Sequence, residues 1–552
     1  MIWRSERGGL HALLLLISLC SPAAVRASTH GDPLPAEVTQ THITLHSSSN
    51  FEHHALVTFG IPFAPGALQD AGNLRILDDE GNEIPAHVQV TLRWHSVSDG
   101  IRAVRVQLRV TMKDAPRRLQ FTTDSRRSKD IEGWPYSEGL VDAANHLRMP
   151  DVLATLDPEW MGRSLLAGPQ IPFSAGNAYD KYVGTQFEWA GTLPTTDSTA
   201  WLFDRPSTLF KLYMRSGKIE HLRSAIESYR FYMSHLRRSG ECAGGWEFGR
   251  AKACDAKYVY VEPALLAVGL TGDDSLFTPE LIGQMMTLWD KGGWSGIGGA
   301  YTSPDQNFTE RHIGLGLVET VAAFELTGNP AYRKRIIDRI GWLQQHQEHN
   351  PDLLGKDGSW RHSWQRHEGE AYDVGTDVRG ASPWMSENII DGLWHAWLVT
   401  ADARIPAMIS AFGRYLEEHG WISKEVFKLA GHSWRDDCSG PDGQIAWYWS
   451  SSQTGLATLI RMQDESGEFS DSHSVQLGLP VAAARYFETD PEWKSRFDKR
   501  LALIAHSYAQ ECARTSSTAR RFNWNNRGAG TVQWMLQNFD SPPKPGIPAR
   551  PD

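Results

Sequence analysis

The chain lacks several things, and each absence removes a class of protein. Beyond its N-terminal region no segment is apolar enough to span a bilayer. It has no excess of positive charge. Its 55 Lys and Arg face 65 Asp and Glu, a formal net charge of −10, so the electrostatic footprint of a nucleic-acid binder is missing. Cysteine is scarce, with five in 552 residues, and the spacing is not that of a zinc site. The chain shows no short repeat of fixed period, which sets it apart from short-repeat solenoids. No pair of carboxylates is singled out by spacing, and the histidines show no fixed ligand spacing. Accordingly no metal and no cofactor is expected.

What is present is a globular composition long enough for two or three domains, with 41 % hydrophobic and 22 % charged residues. Tryptophan is abundant, at 22 copies. Indole serves as core, and its flat face also meets the apolar C–H face of a pyranose. At the N-terminus Arg4 and Arg7 precede a short apolar run, "LHALLLLISL". "SPAAVRAS" then presents small residues for cleavage after Ala27. Residues 1–27 therefore read as a signal peptide, and the mature chain is expected in the periplasm or secreted, with no membrane association once the signal is gone. Leu19 is too bulky for a lipoprotein signal at Cys20. Loss of Cys20 leaves Cys242, Cys254, Cys438 and Cys512, an even number that suits two disulfides in an oxidising compartment. The expected pairs are Cys242–Cys254 around a "GGW" loop and Cys438–Cys512.

Residues 40–125 alternate apolar and polar side chains in six runs, among them "ALVTFGIPF", "IPAHVQVTLRW" and "IRAVRVQLRV", with "DDEGNE" as a turn. They predict a small antiparallel, sandwich-like β-domain. Residues 126–195 read as a linker and lead-in. From 196 to 540 the period becomes helical, and two kinds of segment alternate. One kind, such as "RHIGLGLVETVAAFEL" and "SENIIDGLWHAWLV", is apolar on nearly all sides and must be buried all round. The other, such as "PAYRKRIIDRIGWLQQH", is amphipathic and belongs outside. "LTGNPAY" and "VTADARIP" mark inner-to-outer turns. Residues 541–552 form a C-terminal tail.

This alternation resembles the (α/α)6 toroid of polysaccharide lyases and glycoside hydrolases. The segment "FGIPFAPGAL…NLRILDDEGNEIPAHVQVTLRW…DGIRAVRVQL" resembles the N-terminal module of exo-rhamnogalacturonan lyase-like proteins. Together the resemblances imply an α+β multidomain enzyme acting on a polysaccharide or oligosaccharide, with its site at the mouth formed by the N-terminal ends of the inner helices.

At those ends the sequence places Lys257, Tyr258, Tyr260, Glu310, Arg311, His312, Trp384, Glu387, Asn388, Asn526 and Arg527. Cations, amides, tyrosines and histidine suit β-elimination at a uronate, which needs a base, a carboxylate clamp and a proton donor. In that reading, which leads, His312, Tyr258 and Tyr260 supply base and acid. Arg311, Asn388, Lys257, Asn526 and Arg527 hold an anionic sugar, and Trp384 stacks on it. Glu310 and Glu387 are the carboxyl candidates of the second reading, hydrolysis by two carboxylates, for which Asp255, Glu262 and Asp471 are also available. Both glutamates equally suit the positive end of a helix dipole. A third reading is a non-catalytic glycan binder using Trp384, Trp447, Trp449 and Trp524. The stretch from Trp360 to Asn388, with His362, Trp364, His367, Glu370, Tyr372 and Asp373, is longer than an ordinary helix connection, and such loops are often functional. Arg311 and His312 are neighbours about 100° apart on a helix, so both cannot face one spot unless the helix begins after them.

Overall fold

The alternating segments of residues 40–125 all form strands, and they build two antiparallel sheets. The structure is a computed structural model. It describes residues 40–550 except 50, 96–99, 135–148, 175, 178, 181–186, 189, 191–196, 294–295, 368–376, 432–443, 467–472, 510–518 and 545. The signal peptide, Cys438, Cys512, Asp471, Glu370, Tyr372 and Asp373 thus lie outside the described residues.

The strands are β1 (Gln40–Ser47), β2 (His53–Pro62), β3 (Arg75–Leu77), β4 (Glu83–Ile84), β5 (Ala86–Arg93), β6 (Ile101–Met112), β7 (Arg117–Thr122) and β8 (Val152–Leu156). One sheet has the order β4-β3-β7-β1-β8 and the other β2-β6-β5. The last strand, β8, comes from the stretch expected to be linker and pairs with β1. β1 alternates as its sequence predicts, burying Thr41, Ile43 and Leu45. The predicted turn closes β3 on β4, with Asp78 accepting from the backbone N–H groups of Glu80 and Asn82 at 3.1 and 2.7 Å. β6 breaks the alternation, being buried at every residue from Ile101 to Leu108. Both its faces are covered because a helix crosses β2 and β6.

The helical part runs α1 (Arg205–Ser216), α2 (Ile219–Ser234), α3 (Glu262–Thr271), α4 (Pro279–Lys291), α5 (Glu310–Thr327), α6 (Pro330–Glu348), α7 (Ser386–Thr400), α8 (Arg404–His419), α9 (Gly478–Phe487), α10 (Pro491–Ala509) and α11 (Ala529–Asn538). Every residue of α3 and α9 is buried. Even-numbered helices keep one exposed face. The odd-numbered helices pack on one another in chain order, and the even-numbered ones pack over them. The ring closes where Asp180 joins both ends. It takes the Arg215 guanidinium of α1 at 2.8 Å and the Gln533 amide of α11 at 2.9 Å. Among the described residues no helix is long and apolar enough to cross a membrane.

Local chemistry explains the turns between rings. α5 ends at Gly328 in the left-handed conformation (φ 66°), and Asn329 then caps α6, whose first residue is Pro330. Inside the ring α5 and α7 meet backbone to backbone. A Cβ on Gly314 would lie 2.3 Å from the Asn388 carbonyl carbon.

The β-domain sits on the C-terminal ends of the odd helices. Gly60 of β2 fits directly against Gly269 of α3, where a Cβ would lie 2.4 Å from the carbonyl oxygen. From β6, Arg102 reaches Glu325 near the end of α5 at 2.5 Å, and Arg105 reaches Asp274 just past α3 at 2.7 Å. Arg102 also lies 4.4 Å from the Trp94 ring. This arrangement covers one end of the ring and leaves the N-terminal ends of the odd helices as its mouth.

The Gly314 contact is directly testable. Gly314→Val should lose at least about 3 kcal/mol of stability by overpacking. Gly299→Ala, at a position with open space around it, should change it by less than about 0.5 kcal/mol. Urea melts of the two variants measure both.

Candidate functional site

The mouth is shaped first by an unusual backbone. Phe203 and Asp204, immediately before α1, are consecutive non-glycine residues with φ of 64° and 60°. Such residues cost about 1–3 kcal/mol each and persist only where the surroundings hold them. Here the Phe203 N–H donates to the Tyr260 hydroxyl at 3.0 Å, and the Asp204 carboxylate caps the Ser207 N–H at 3.0 Å. The Phe203 ring thereby meets Trp524 edge-on at 4.9 Å and lies 6.3 Å from Trp384. Trp384 stacks on His473 at 4.1 Å with 9° between the planes. His473 is oriented in turn, its Nδ1 bonded to Gln476 Oε1 at 2.5 Å.

Phe203, Trp384, Glu387, Gln476, Trp524 and Arg527 line one small pocket. They come from the approaches to α1, α7, α9 and α11, so the pocket exists only once the ring has closed. Its one carboxyl is Glu387. Burial pushes that group up to about 8, with Asp391 adding to the rise and Arg527 opposing it. Asp391 lies one helical turn further along α7 and is in ion contact with Arg527. Burial alone would raise Asp391 as well, but Arg527, His395 and Lys211 outweigh it and hold Asp391 below the usual carboxylate range.

Behind the pocket the ring interior is acidic. Lys211 of α1 pairs with Glu262 of α3 at 2.7 Å. Glu319 of α5 accepts the N–H groups of Val261 and Glu262 at 2.5 and 3.0 Å, capping α3 from a neighbouring helix. Burial, with Asp204 and Glu262 nearby, raises Glu319 well above its ordinary value. Burial and Glu262 push Asp204 to about 7.

A cationic wall flanks the pocket. The Arg311 guanidinium lies 5.9 Å from the Phe203 ring. Lys257 pairs with Asp255 at 3.4 Å. Burial raises the Asp255 carboxyl, with Lys257 and Arg311 opposing, and burial with Asp255 pushes Tyr258 up to about 12.

Of the residues predicted for this site, Trp384, Glu387 and Arg527 come together in the pocket, and Arg311, Lys257 and Tyr258 lie beside it. The others serve elsewhere. His312 Nε2 is hydrogen-bonded to the Trp289 carbonyl at 3.1 Å, and burial pushes the imidazole down to about 4. Arg311 faces Phe203, so the 100° step turns His312 back against α4. Tyr260 donates its hydroxyl to the Lys257 carbonyl while accepting from Phe203. Asn388 bonds the carbonyl of Met385, just before α7, at 3.0 Å, and Asn526 bonds the carbonyl of Phe522, four residues earlier, at 2.9 Å. Glu310 accepts the Ser382 N–H at 2.7 Å and faces His362 and His367. Trp447 and Trp449 are buried and line no part of the pocket.

Sequence reasoning missed Phe203, Gln476, Lys211, Glu319 and Asp391 as members of the site. Two of them carried a signal. Asp391 follows Glu387 by four residues and therefore shares its face. Glu319 is an acid in the middle of an otherwise apolar inner helix.

No protein-family model matches the chain, and no curated protein matches it. Among solved structures it is similar to an unsaturated glucuronyl hydrolase from Bacillus sp. GL1, at 13 % identity and a TM-score of 0.38. That match covers 68 % of this chain and 97 % of the other. It is also similar to an unsaturated glucuronyl hydrolase specific for heparin, at 11 % identity and a TM-score of 0.38, over 65 % of this chain and 96 % of the other. Likeness this remote fixes no chemistry, and the site rests on its own geometry.

The raised acid behind the pocket has a consequence for stability. Folded Asp204 holds its proton to about pH 7, whereas an unfolded aspartate releases it near pH 4. Between those values the folded state binds more protons, so stability falls as pH rises. Asp204→Asn keeps the cap on Ser207 and removes the titration. Thermal melts from pH 4.5 to 8 should show a shallower decline for the variant than for wild type.

Proposed function

We propose that the chain is a glycan-degrading enzyme on an (α/α)6 toroid, that it acts on an acidic sugar, and that it cleaves by hydrolysis with Glu387 as proton donor. The observation that carries this reading is a carboxyl that keeps its proton to about pH 8 inside a pocket walled by Phe203, Trp384 and Trp524. Flat rings accept the apolar face of a pyranose. A carboxylic acid held neutral at physiological pH can protonate a leaving glycosidic oxygen. Asp391, one turn away, is held ionised against Arg527 and fixes that cation at the pocket. Arg527, Arg311 and Lys257 give the mouth a cationic lining that suits a uronate carboxylate.

Hydrolysis leads here because the sequence's candidate bases for elimination are poorly suited. His312 is engaged with a carbonyl, and Tyr258 and Tyr260 are pushed up, away from the phenolate a base would need. One observation favours elimination as the second reading. Gln476 Oε1 holds His473 Nδ1, which directs the Nε2 lone pair away from that bond while the ring lies against Trp384, where a base would be needed.

The two readings separate on uronic-acid glycans. Hydrolysis releases reducing ends without new ultraviolet absorbance, whereas elimination creates a conjugated, absorbing uronate. We expect the former. Glu387→Gln should lower kcat by about 10²-fold or more, with activity in the wild type declining above pH 8. Arg311→Ala should chiefly raise KM for acidic substrates. Unchanged turnover in Glu387→Gln removes the proposal. Binding without turnover of any kind would favour a glycan-binding protein.

We also infer that the chain is exported. Besides the N-terminal pattern, Cys242 and Cys254 are disulfide-bonded across 12 residues, which suits an oxidising compartment. Mass spectrometry of the mature protein should find Ser28 at its start, and denaturation without reductant should expose no free thiol. A full-length product with titratable thiols would refute export.

A further inference from the structure

The segment between α6 and α7 contributes a second cluster that the proposed chemistry does not use. Glu310, at the start of α5, and His362 and His367, on the loop after α6, are all buried, and one ligand atom from each lies within 4.8 Å of the others. His362 Nε2 is 3.0 Å from His367 Nδ1. Glu310 oxygens lie 3.9 Å from His362 Nδ1 and from His367 Nδ1, too far for hydrogen bonds. The His362–His367 nitrogen pair stands at the spacing of about 3–3.5 Å between ligand atoms that share one ion with bonds of about 2.1 Å.

The supporting contacts are those of a ligand set. His362 Nδ1 faces the Trp360 carbonyl at 3.1 Å, which fixes the tautomer and leaves the Nε2 lone pair pointing at the cluster. Glu310 is held by the Ser382 N–H at 2.7 Å. The shell is aromatic. Phe308 lies 5.0 Å from His362, and Trp449 lies 4.7 and 5.0 Å from the two histidines.

We propose that Glu310, His362 and His367 bind one divalent transition-metal ion, with zinc best matching two imidazoles and a carboxylate. The ion pins His362 and His367 to the first turn of α5, one residue from Arg311 and thus beside the mouth.

The test uses the whole mature protein, purified without chelators. Elemental analysis should find about one equivalent of metal. Chelation should lower the melting temperature and zinc should restore it. Cobalt loaded into the apoprotein should give the visible absorption of a low-coordinate nitrogen–oxygen site. His367→Gln and Glu310→Gln should each lose the cobalt spectrum, with folding followed separately by circular dichroism. Folded wild-type protein that holds no metal and shows no melting shift with zinc, cobalt or manganese would overturn the proposal, leaving a hydrogen-bonded cluster. Retention of the cobalt spectrum in both variants would overturn it equally.

Discussion

Charge buried inside a closed ring of helices has to be neutralised, and the rest of this structure follows from how that is done. Among the described residues, Lys211 and Arg527 are the two cations that meet the acids Asp204, Glu262, Glu319, Glu387 and Asp391. Two cations cannot hold five carboxylates ionised in a place where desolvation penalises every charge. The surplus is met by keeping protons, which is why Asp204, Glu319 and Glu387 are raised while Asp391, in direct contact with Arg527, is lowered. The raised acid in the pocket follows from burial, with Asp391 adding to the rise and Arg527 and Lys211 opposing it.

The β-domain gives the ring its direction. Arg102 and Arg105 tie β6 to the C-terminal ends of α5 and α3, and the Gly60–Gly269 contact lets sheet and helix approach at backbone distance. The opposite end carries the positive ends of the inner-helix dipoles, together with Arg311 and Lys257. Fixed dipoles and side chains therefore bias the mouth in the same sense, toward an anionic ligand. The strained pair Phe203–Asp204 sits at this end, where Tyr260 and Ser207 hold a conformation that would relax in isolation.

Read this way, the helix start "TERHIG" divides its three ionisable residues among three environments. Glu310 turns toward the histidines of the long loop, Arg311 toward the aromatic pocket, and His312 toward a carbonyl of the outer helix α4. A step of about 100° per residue makes such a division unavoidable for three consecutive positions. It places a candidate metal cluster and a candidate substrate wall on either side of one backbone turn.

Much of the architecture was legible in residues alone. Period-2 alternation marked the strands, segments apolar on all sides marked the inner helices, and Gly328, Asn329 and Pro330 marked a ring-to-ring turn, because each depends only on neighbours a few residues away. The candidate site was legible in part. Trp384, Glu387 and Arg527 stood out as polar or aromatic groups at inner-helix starts, and they do converge. What only the tertiary structure decided was which face each helix turns to which neighbour. A helical period fixes the angle between residues on one helix and says nothing of the angle between helices. His312 and Glu387 look alike in sequence, each an ionisable residue in the first turn of a buried helix. One is consumed by a backbone carbonyl and the other opens on a pocket, because Trp289 happens to stand behind the first and three aromatic rings stand around the second.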